Sequence, residues 1–421
     1  MKINAYRFAT CLGWPFILAY LARRKMKGKE DLERFGERLG IPGMERPQGR
    51  LVWFHGASVG ETISMLPLID KVLDAYPDIS VLVTSGTVTS AKIMEQRLPK
   101  RAIHQYVPVD CASYTKRFIS YWHPDVALWF ESDFWPNLLN SAHEAKIPLL
   151  LINGRISNRS FARWRRLPYF IKKLQKLFAL SLGQTDLDAE RLKILGAENA
   201  YCLGNLKCAT EPLPADDKAV QEFKENIGSR PCWIAASTHN PEELEIAKAH
   251  LQIKKEFPSL LTIIVPRHPT RGKEIANGIN AIGLTTAVRS KHERLTPETD
   301  VYIADTIGEM GLFYRLAPIV FVGGSLIPHG GQNFLEPARL DSAIILGSHM
   351  ENFADMTAKA LQAGAVIQIN KNKDLSEEVI SLLKNPKDVS SLCRKASDFA
   401  GNESKVLDRV FNKIKPWLDK K

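Results

Sequence analysis

The 421-residue chain contains no C-x-x-C pair. Its six cysteines (Cys11, Cys111, Cys202, Cys208, Cys232 and Cys393) fall at irregular spacings without a paired Cys/His ligand pattern. Neither a disulfide framework nor a structural zinc site is indicated, and a reducing compartment is the default. A G-x-x-x-x-G-K-[ST] loop is missing, as is a G-x-G-x-x-G between strand and helix, which argues against a P-loop NTPase and a dinucleotide oxidoreductase. Low-complexity tracts are also lacking. With 45% hydrophobic residues, 18 Phe and 8 Trp, the chain has ample material for a core, so disorder is excluded. At about 100 to 200 residues per domain, the length predicts two or three domains.

Acidic residues are scarce in one half only. Residues 1–210 hold 30 Lys+Arg against 19 Asp+Glu, whereas residues 211–421 hold 27 of each. A basic first half beside a neutral second half suggests that only the first meets a large anionic partner, either nucleic acid or an acidic membrane. Phe8–Ala22, 15 residues without a charge, precedes Arg23, Arg24, Lys25, Lys27 and Lys29. As one helix it reaches about 22 Å at roughly 1.5 Å per residue, against a hydrocarbon core of about 30 Å. The basic cluster follows the apolar run, which disfavours a cleaved signal peptide and favours an interfacial anchor over a buried first helix. Residues 155–185 add eight Lys or Arg and no acid, interleaved with Phe161, Trp164, Tyr169 and Phe170. Along a helix these predict a cationic face with aromatic insertion, suited to phosphate-bearing amphiphiles; a solvated face or strand binding to nucleic acid fits the same pattern.

Short apolar runs at 51–55, 79–85, 125–130 and 147–153 alternate with helical stretches. Continuously apolar strands are buried on both faces, hence a parallel sheet covered by helices. After an interruption at Glu211–Asp217 (EPLPADD) the alternation restarts at 232–238, 260–268, 301–305, 318–324 and 343–347. The expectation is an α/β protein of two doubly wound, Rossmann-like domains facing each other across a cleft. Its predicted segments are a membrane-associated helix at 1–30, domains at 31–210 and 211–401, and a final helix at 402–421. Ligands of such sheets bind beyond the carboxyl ends of the strands, so chemistry-bearing residues should follow strands.

They do. The first strand runs into Gly56-Ala57-Ser58-Val59-Gly60-Glu61 at a helix start, where free N–H groups suit an anion. Glu61 fits either a favourable helix-dipole position or a general base. Glu131-Ser132-Asp133 follows another strand, without a nearby His to complete a metal set. In the second half Pro266-Arg267-His268-Pro269-Thr270-Arg271, Asp305–Glu309, Gly323-Gly324-Ser325 and Gln332–Pro337 each follow a strand. Guanidiniums suit phosphate and carboxylate, and Asn333 and Glu336, three apart, can share a helical face.

In order along the chain, HGASVGE (55–61), PVD (108–110), ESDFWPN (131–137), GQT (183–185), GNLK (204–207), ASTH (236–239), VPRHPTR (265–271), DTIGEM (305–310) and VGGSLIPHGGQNFLEP (322–337) resemble the motifs of lipid A 3-deoxy-D-manno-octulosonic acid (Kdo) transferases. The resemblance implies a GT-B glycosyltransferase with inversion at the anomeric carbon and no metal or cofactor. It implies CMP-Kdo as donor and a lipid A precursor as acceptor at the cytoplasmic face of the bacterial inner membrane, with no nucleic-acid partner. It also implies Glu61 as general base, beside Ser58 and Gly60, with Glu131 and Lys207 stabilising the transition state. Arg267, His268, Ile307, Gly308, Glu309, Asn333, Phe334, Leu335 and Glu336 would hold CMP, with Ser237, Thr238, Gly324 and Ser325 as neighbours. Two positions depart from the pattern: Asp133 stands where Glu is usual, and Gln332 where His is usual. Another GT-B enzyme, a UDP-sugar transferase or sugar-nucleotide epimerase, would share the architecture. A non-catalytic surface-binding protein would explain the charge asymmetry but not the anion-suited loops.

Overall fold

The computed structural model describes residues 3–131, 133–208, 212–370 and 372–420. Ser132 and the expected boundary at 210/211, with Glu211 of the interrupting stretch, lie outside them. The chain divides into two compact units, Met1–Thr210 with Lys405–Lys421, and Glu211–Ser404. The helix Pro386–Ser404 runs through the expected boundary at 401/402, so the chain leaves the second unit at Ser404.

The strands of the first unit are β1 (Arg50–His55), β2 (Ile79–Ser85), β3 (Ala102–Tyr106), β4 (Val126–Phe130), β5 (Leu149–Gly154), β6 (Phe178–Gly183) and β7 (Ala200–Cys202). They form a parallel sheet in the order β3-β2-β1-β4-β5-β6-β7. Successive residues of a strand point to opposite faces. Val52 and Phe54 accordingly join one core with Leu66 and Ile69 of the helix Val59–Ala75, whereas Leu51 and Trp53 join another with Phe118 and Leu138. Both faces are covered, which is why the strands read as unbroken apolar runs.

The second unit contains β8 (Cys232–Thr238), β9 (Leu261–Pro266), β10 (Thr286–Val288), β11 (Val301–Ile303), β12 (Ile319–Val322), β13 (Ala343–Leu346) and β14 (Ile367–Gln368). All pair in parallel in the order β10-β11-β9-β8-β12-β13-β14. Strand order reverses between β1 and β4 in one sheet and between β8 and β12 in the other. In each case the crevice at the carboxyl ends is the ligand position of an open α/β sheet.

The amino-terminal segment is two helices, Ile3–Leu12 and Trp14–Met26, rather than one. Pro15, in the first turn of the second helix, has no N–H with which to continue the ladder. Tyr6 donates to Asp110 Oδ2 at 3.0 Å, Arg7 pairs with Glu144 at 2.8 Å and Thr10 accepts from Asn137 at 3.0 Å, so one side of the first helix is docked. Phe8, Leu12, Phe16 and Tyr20 remain 60–80% exposed. No helix among the described residues is long and apolar enough to cross a membrane. The basic stretch is likewise divided, into Asn158–Arg165 and Pro168–Gln175. Its aromatics do not form one insertion face: Phe170 is buried and stacks with Trp164, Phe161 and Trp164 pack on the core, and only Tyr169 is fully outward.

Candidate active site and nucleotide site

In the first unit the turn after β1 brings the helix Val59–Ala75 close to the strand end. A Cβ on Gly56 would lie 2.6 Å from Met65 Cε and 3.0 Å from Glu61 Cβ, so a larger residue would push on both side chains. Ser58 caps the helix, and Glu61 returns to it in a capping box. Glu61 Oε1 accepts from the Ser58 hydroxyl at 2.7 Å and Oε2 from Ala57 N–H at 2.6 Å. Its side chain is 6% exposed. Burial raises its pKa above the ordinary carboxylate value; the Ser58 and Ala57 hydrogen bonds oppose the shift, and the nearby charges of Glu131 and Asp133 add to it. Gly60 adds no side chain beside this carboxylate, and a Cβ there would meet no atom within 4 Å.

Glu131 follows β4, the neighbour of β1, in a left-handed conformation with φ of 57°. Such backbone strain in a non-glycine residue persists only where the surroundings hold it. Here Glu131 N–H donates to Ile152 O at 3.0 Å and its carboxylate pairs with Lys207. Lys207 lies on the turn Leu206–Cys208, held by Asn153 at the end of β5, whose Oδ1 accepts from Leu206 N–H at 3.0 Å. Asn153 is itself left-handed, with φ of 56°. The first unit thus gathers Ser58, Gly60, Glu61, Glu131 and Lys207 at one switch point, a buried carboxylate beside a carboxylate–ammonium pair. One further motif residue, in PVD, has a framework task. Asp110 accepts from the N–H groups of Asn137 and Leu138 at 3.1 and 2.8 Å and so starts the helix Pro136–Glu144.

In the second unit the ends of β11, β9, β8 and β12 lie side by side. Arg267 and His268 follow β9 and are exposed. Ile307 is 89% exposed on a turn with Gly308, and Glu309 holds that turn by bonding Arg289 at 2.7 and 3.1 Å and accepting from Thr306. Asn333 donates to Glu336 Oε1 at 3.1 Å, and its own Oδ1 accepts from Leu335 N–H at 3.1 Å. Burial raises the Glu336 pKa, while Asn333 and the charges of Arg339 and Arg267 lower it, so Glu336 and Arg267 share one field.

Several expected donor contacts have other tasks. The Gly324 and Ser325 N–H groups are committed to Glu242, a fully buried carboxylate. Its Oε2 accepts from His239 and Gly324 at 2.9 and 2.6 Å, and its Oε1 from Ser325 and Leu326 at 3.0 and 2.9 Å. The Thr238 hydroxyl is buried and donates to Glu243 at 3.1 Å. Phe334 and Leu335 have buried side chains, which leaves only their backbone to a ligand. Ser237, at φ of 57°, stays half-buried at the β8 end. Asn153, Glu242 and Arg289 stand outside the motifs quoted above, and His239 and His329 lie within them without an assigned role. Of these, Asn153 and His239 carry a visible signal, a polar residue at the end of an apolar strand. Replacing Glu242 by Gln should cost about 2–5 kcal/mol in urea unfolding, because the amide turns two N–H donors against two backbone N–H groups. An unchanged midpoint would mean that the carboxylate does not hold the loop.

Residues 33–210 match the family described as 3-deoxy-D-manno-octulosonic-acid transferase (kdotransferase). The chain is 35% identical over 415 residues to the 3-deoxy-D-manno-octulosonic acid transferase of Rickettsia bellii, across 98% of this chain and 99% of that one. To the Haemophilus influenzae transferase of the same name it is 31% identical over 416 residues, across 96% of each. Among solved structures, a putative UDP-N-acetylglucosamine 2-epimerase from Listeria monocytogenes superposes with a TM-score of 0.58 at 13% identity, across 87% of this chain and 96% of that one. That likeness is one of fold, two Rossmann-like units in one chain as in GT-B proteins. On full-length identity, the chain belongs to the 3-deoxy-D-manno-octulosonic acid transferase family.

Proposed function

We propose that this protein is an inverting glycosyltransferase that moves Kdo from CMP-Kdo to a lipid A precursor during lipopolysaccharide synthesis. The observation that carries the reading is Glu61, a buried carboxylate at the β1/β4 switch point beside the Glu131–Lys207 pair, in a chain of this family. Glu61 takes the proton of the acceptor hydroxyl as its oxygen bonds to the anomeric carbon. The bond from that carbon to the CMP phosphate oxygen breaks, and CMP leaves with the electron pair. Displacement through an oxocarbenium-like state inverts the centre, as in inverting glycosidases. Lys207 offsets negative charge in the transition state, and Glu131 keeps its ammonium in place. Arg267, His268, Ile307–Glu309 and Asn333–Glu336 hold the nucleotide.

The acceptor is an anionic amphiphile, which fits the exposed Phe8, Leu12, Phe16 and Tyr20 followed by Arg23, Arg24 and Lys25. These residues lie on the cytoplasmic face of the inner membrane, apolar side chains among acyl chains and cations against headgroups. The test is incubation with CMP-Kdo and a tetraacylated lipid A precursor, with the product weighed by mass spectrometry. Increments of one or more Kdo are expected. An unmodified precursor and intact CMP-Kdo, with activity on a UDP-sugar instead, would overturn the reading.

A further inference from the structure

His239 directly follows β8 at the switch point of the second sheet and is 9% exposed. Its ring centroid lies 3.9 Å from that of His329, on the loop after β12, and 5.7 Å from that of His268, after β9. Gln332 Nε2 is 3.0 Å from His239 Nε2. The charged groups that face His239 are therefore cationic or protonatable on every side: His329 beyond β12, and His268, Arg267 and Arg271 beyond β9. Two carboxylates approach from the helix Glu242–Ile253, and both are committed. Glu242 accepts four backbone N–H bonds, and Glu243 pairs with Arg271 at 2.8 Å and accepts from Thr238. Arg267 forms no ion pair among the described residues.

The buried imidazole, crowded by two others and by Arg267, faces no uncommitted carboxylate, since Glu336, which shares a field with Arg267, accepts from Asn333. With the loop amides of Gly324–Leu326 filled by Glu242, an incoming anion finds its positive partners in this cluster instead. Resting on the donor assignment above, we infer that His239, with His329 and Gln332, contacts an anionic group of the donor, and that binding of the anion there takes up a proton. Burial first, then the neighbouring imidazoles and guanidiniums, hold the His239 pKa down at about 4, so the His239 imidazole is neutral at physiological pH before an anion binds. A bound anion reverses the electrostatic part of that shift, and linkage then requires proton uptake at pH values between about 4 and the raised pKa. The Gln332 amide suits both states, since it can donate to a neutral nitrogen or, turned over, accept from a protonated one. A histidine at that position would add a further competitor for the proton.

The anion is either the nucleotide phosphate or the carboxylate of the acid sugar, and calorimetry on the full chain separates them. CMP, cytidine and CMP-Kdo are titrated at a fixed, mildly acidic pH, above the free His239 value of about 4, in buffers of different ionisation heat, without acceptor. Uptake with CMP but not cytidine assigns the phosphate; uptake with CMP-Kdo alone assigns the carboxylate. Either result supports the inference. His239→Asn should abolish the uptake and weaken the responsible ligand about tenfold, the usual worth of one hydrogen bond to a charged group, with cytidine unchanged. His329→Gln, on an exposed side chain, serves where the buried variant does not fold, and should reduce the uptake. If CMP and CMP-Kdo bind without uptake, or with uptake that both variants leave intact, the subsite is overturned while the donor assignment stands. Absence of any CMP binding would overturn both.

Discussion

Replacing Glu61 by Gln is expected to lower Kdo transfer by about 10²- to 10⁴-fold, the usual worth of a general base, while CMP affinity stays as in the wild type. The substitution isolates the chemistry because the local structure tolerates it. The amide oxygen still accepts from Ala57 N–H, and the Ser58 hydroxyl, which donates to Glu61 Oε1 at 2.7 Å, can accept from the new NH₂ instead. pH profiles add a second readout. Burial lifts the Glu61 pKa above its ordinary 4.5, so wild-type transfer should rise with pH through that raised value as the base ionises. Stability moves the other way. A carboxyl whose folded pKa is raised binds its proton more tightly when folded, so its contribution is present below 4.5 and lost as pH climbs through the folded value. Both slopes should vanish in Glu61→Gln. Transfer within tenfold of wild type, with the acidic limb retained, would remove Glu61 from the role of base.

The contrast with Glu242 shows where reading a sequence stops. Both are acids in the first turn of a helix that follows a strand, and along the chain they look alike. Glu61 uses its oxygens on a hydroxyl and one N–H of its own turn, partners within four residues, so its capping box is legible from S-x-x-E spacing. Glu242 reaches Gly324, Ser325 and Leu326, more than eighty residues away, and no local pattern signals that. For this reason Gly324 and Ser325 read as open anion sites although their amides are occupied. The fold divides similarly. The central strands are legible because burial on both faces keeps most of their residues apolar, as in Val126–Phe130, which has no polar residue at all. Four strands near the sheet edges, Ala102–Tyr106, Ala200–Cys202, Thr286–Val288 and Ile367–Gln368, are short or carry polar residues, and pairing with a neighbour rather than composition defines them. Phe178–Gly183 was hidden differently, inside a basic stretch whose charge drew the eye to helices.

A chain that stops at residue 404 is expected to lose the fold of the first unit. The helix Val406–Leu418 buries Val406, Val410, Phe411, Ile414 and Leu418 in the same core as Leu66, Ile69 and Leu73 of the helix that begins beside Glu61. At about 1.5–3 kcal/mol per buried apolar side chain, their loss is comparable with the whole stability of a domain, about 5–15 kcal/mol. Polar contacts follow the same path: Tyr76 donates to Asp419 at 2.5 Å, Arg409 to Leu203 O at 3.1 Å, and Lys71 pairs with Asp408. The helix also supports the turn that carries Lys207. A Cβ on Gly204 would lie 2.5 Å from Val406 Cγ2, so the loop and the helix start are in direct contact, and Leu206 shares their core. Truncation should therefore abolish transfer and expose the first unit to protease, while residues 212–404 stay protected and continue to bind CMP. Ile414→Ala, which removes one fully buried side chain, should cost about 2–5 kcal/mol in the urea transition of the first unit and leave that of the second in place. If the shortened chain unfolds at the wild-type midpoint, the last helix is an appendage, and the position of Lys207 has to be explained by Asn153 alone.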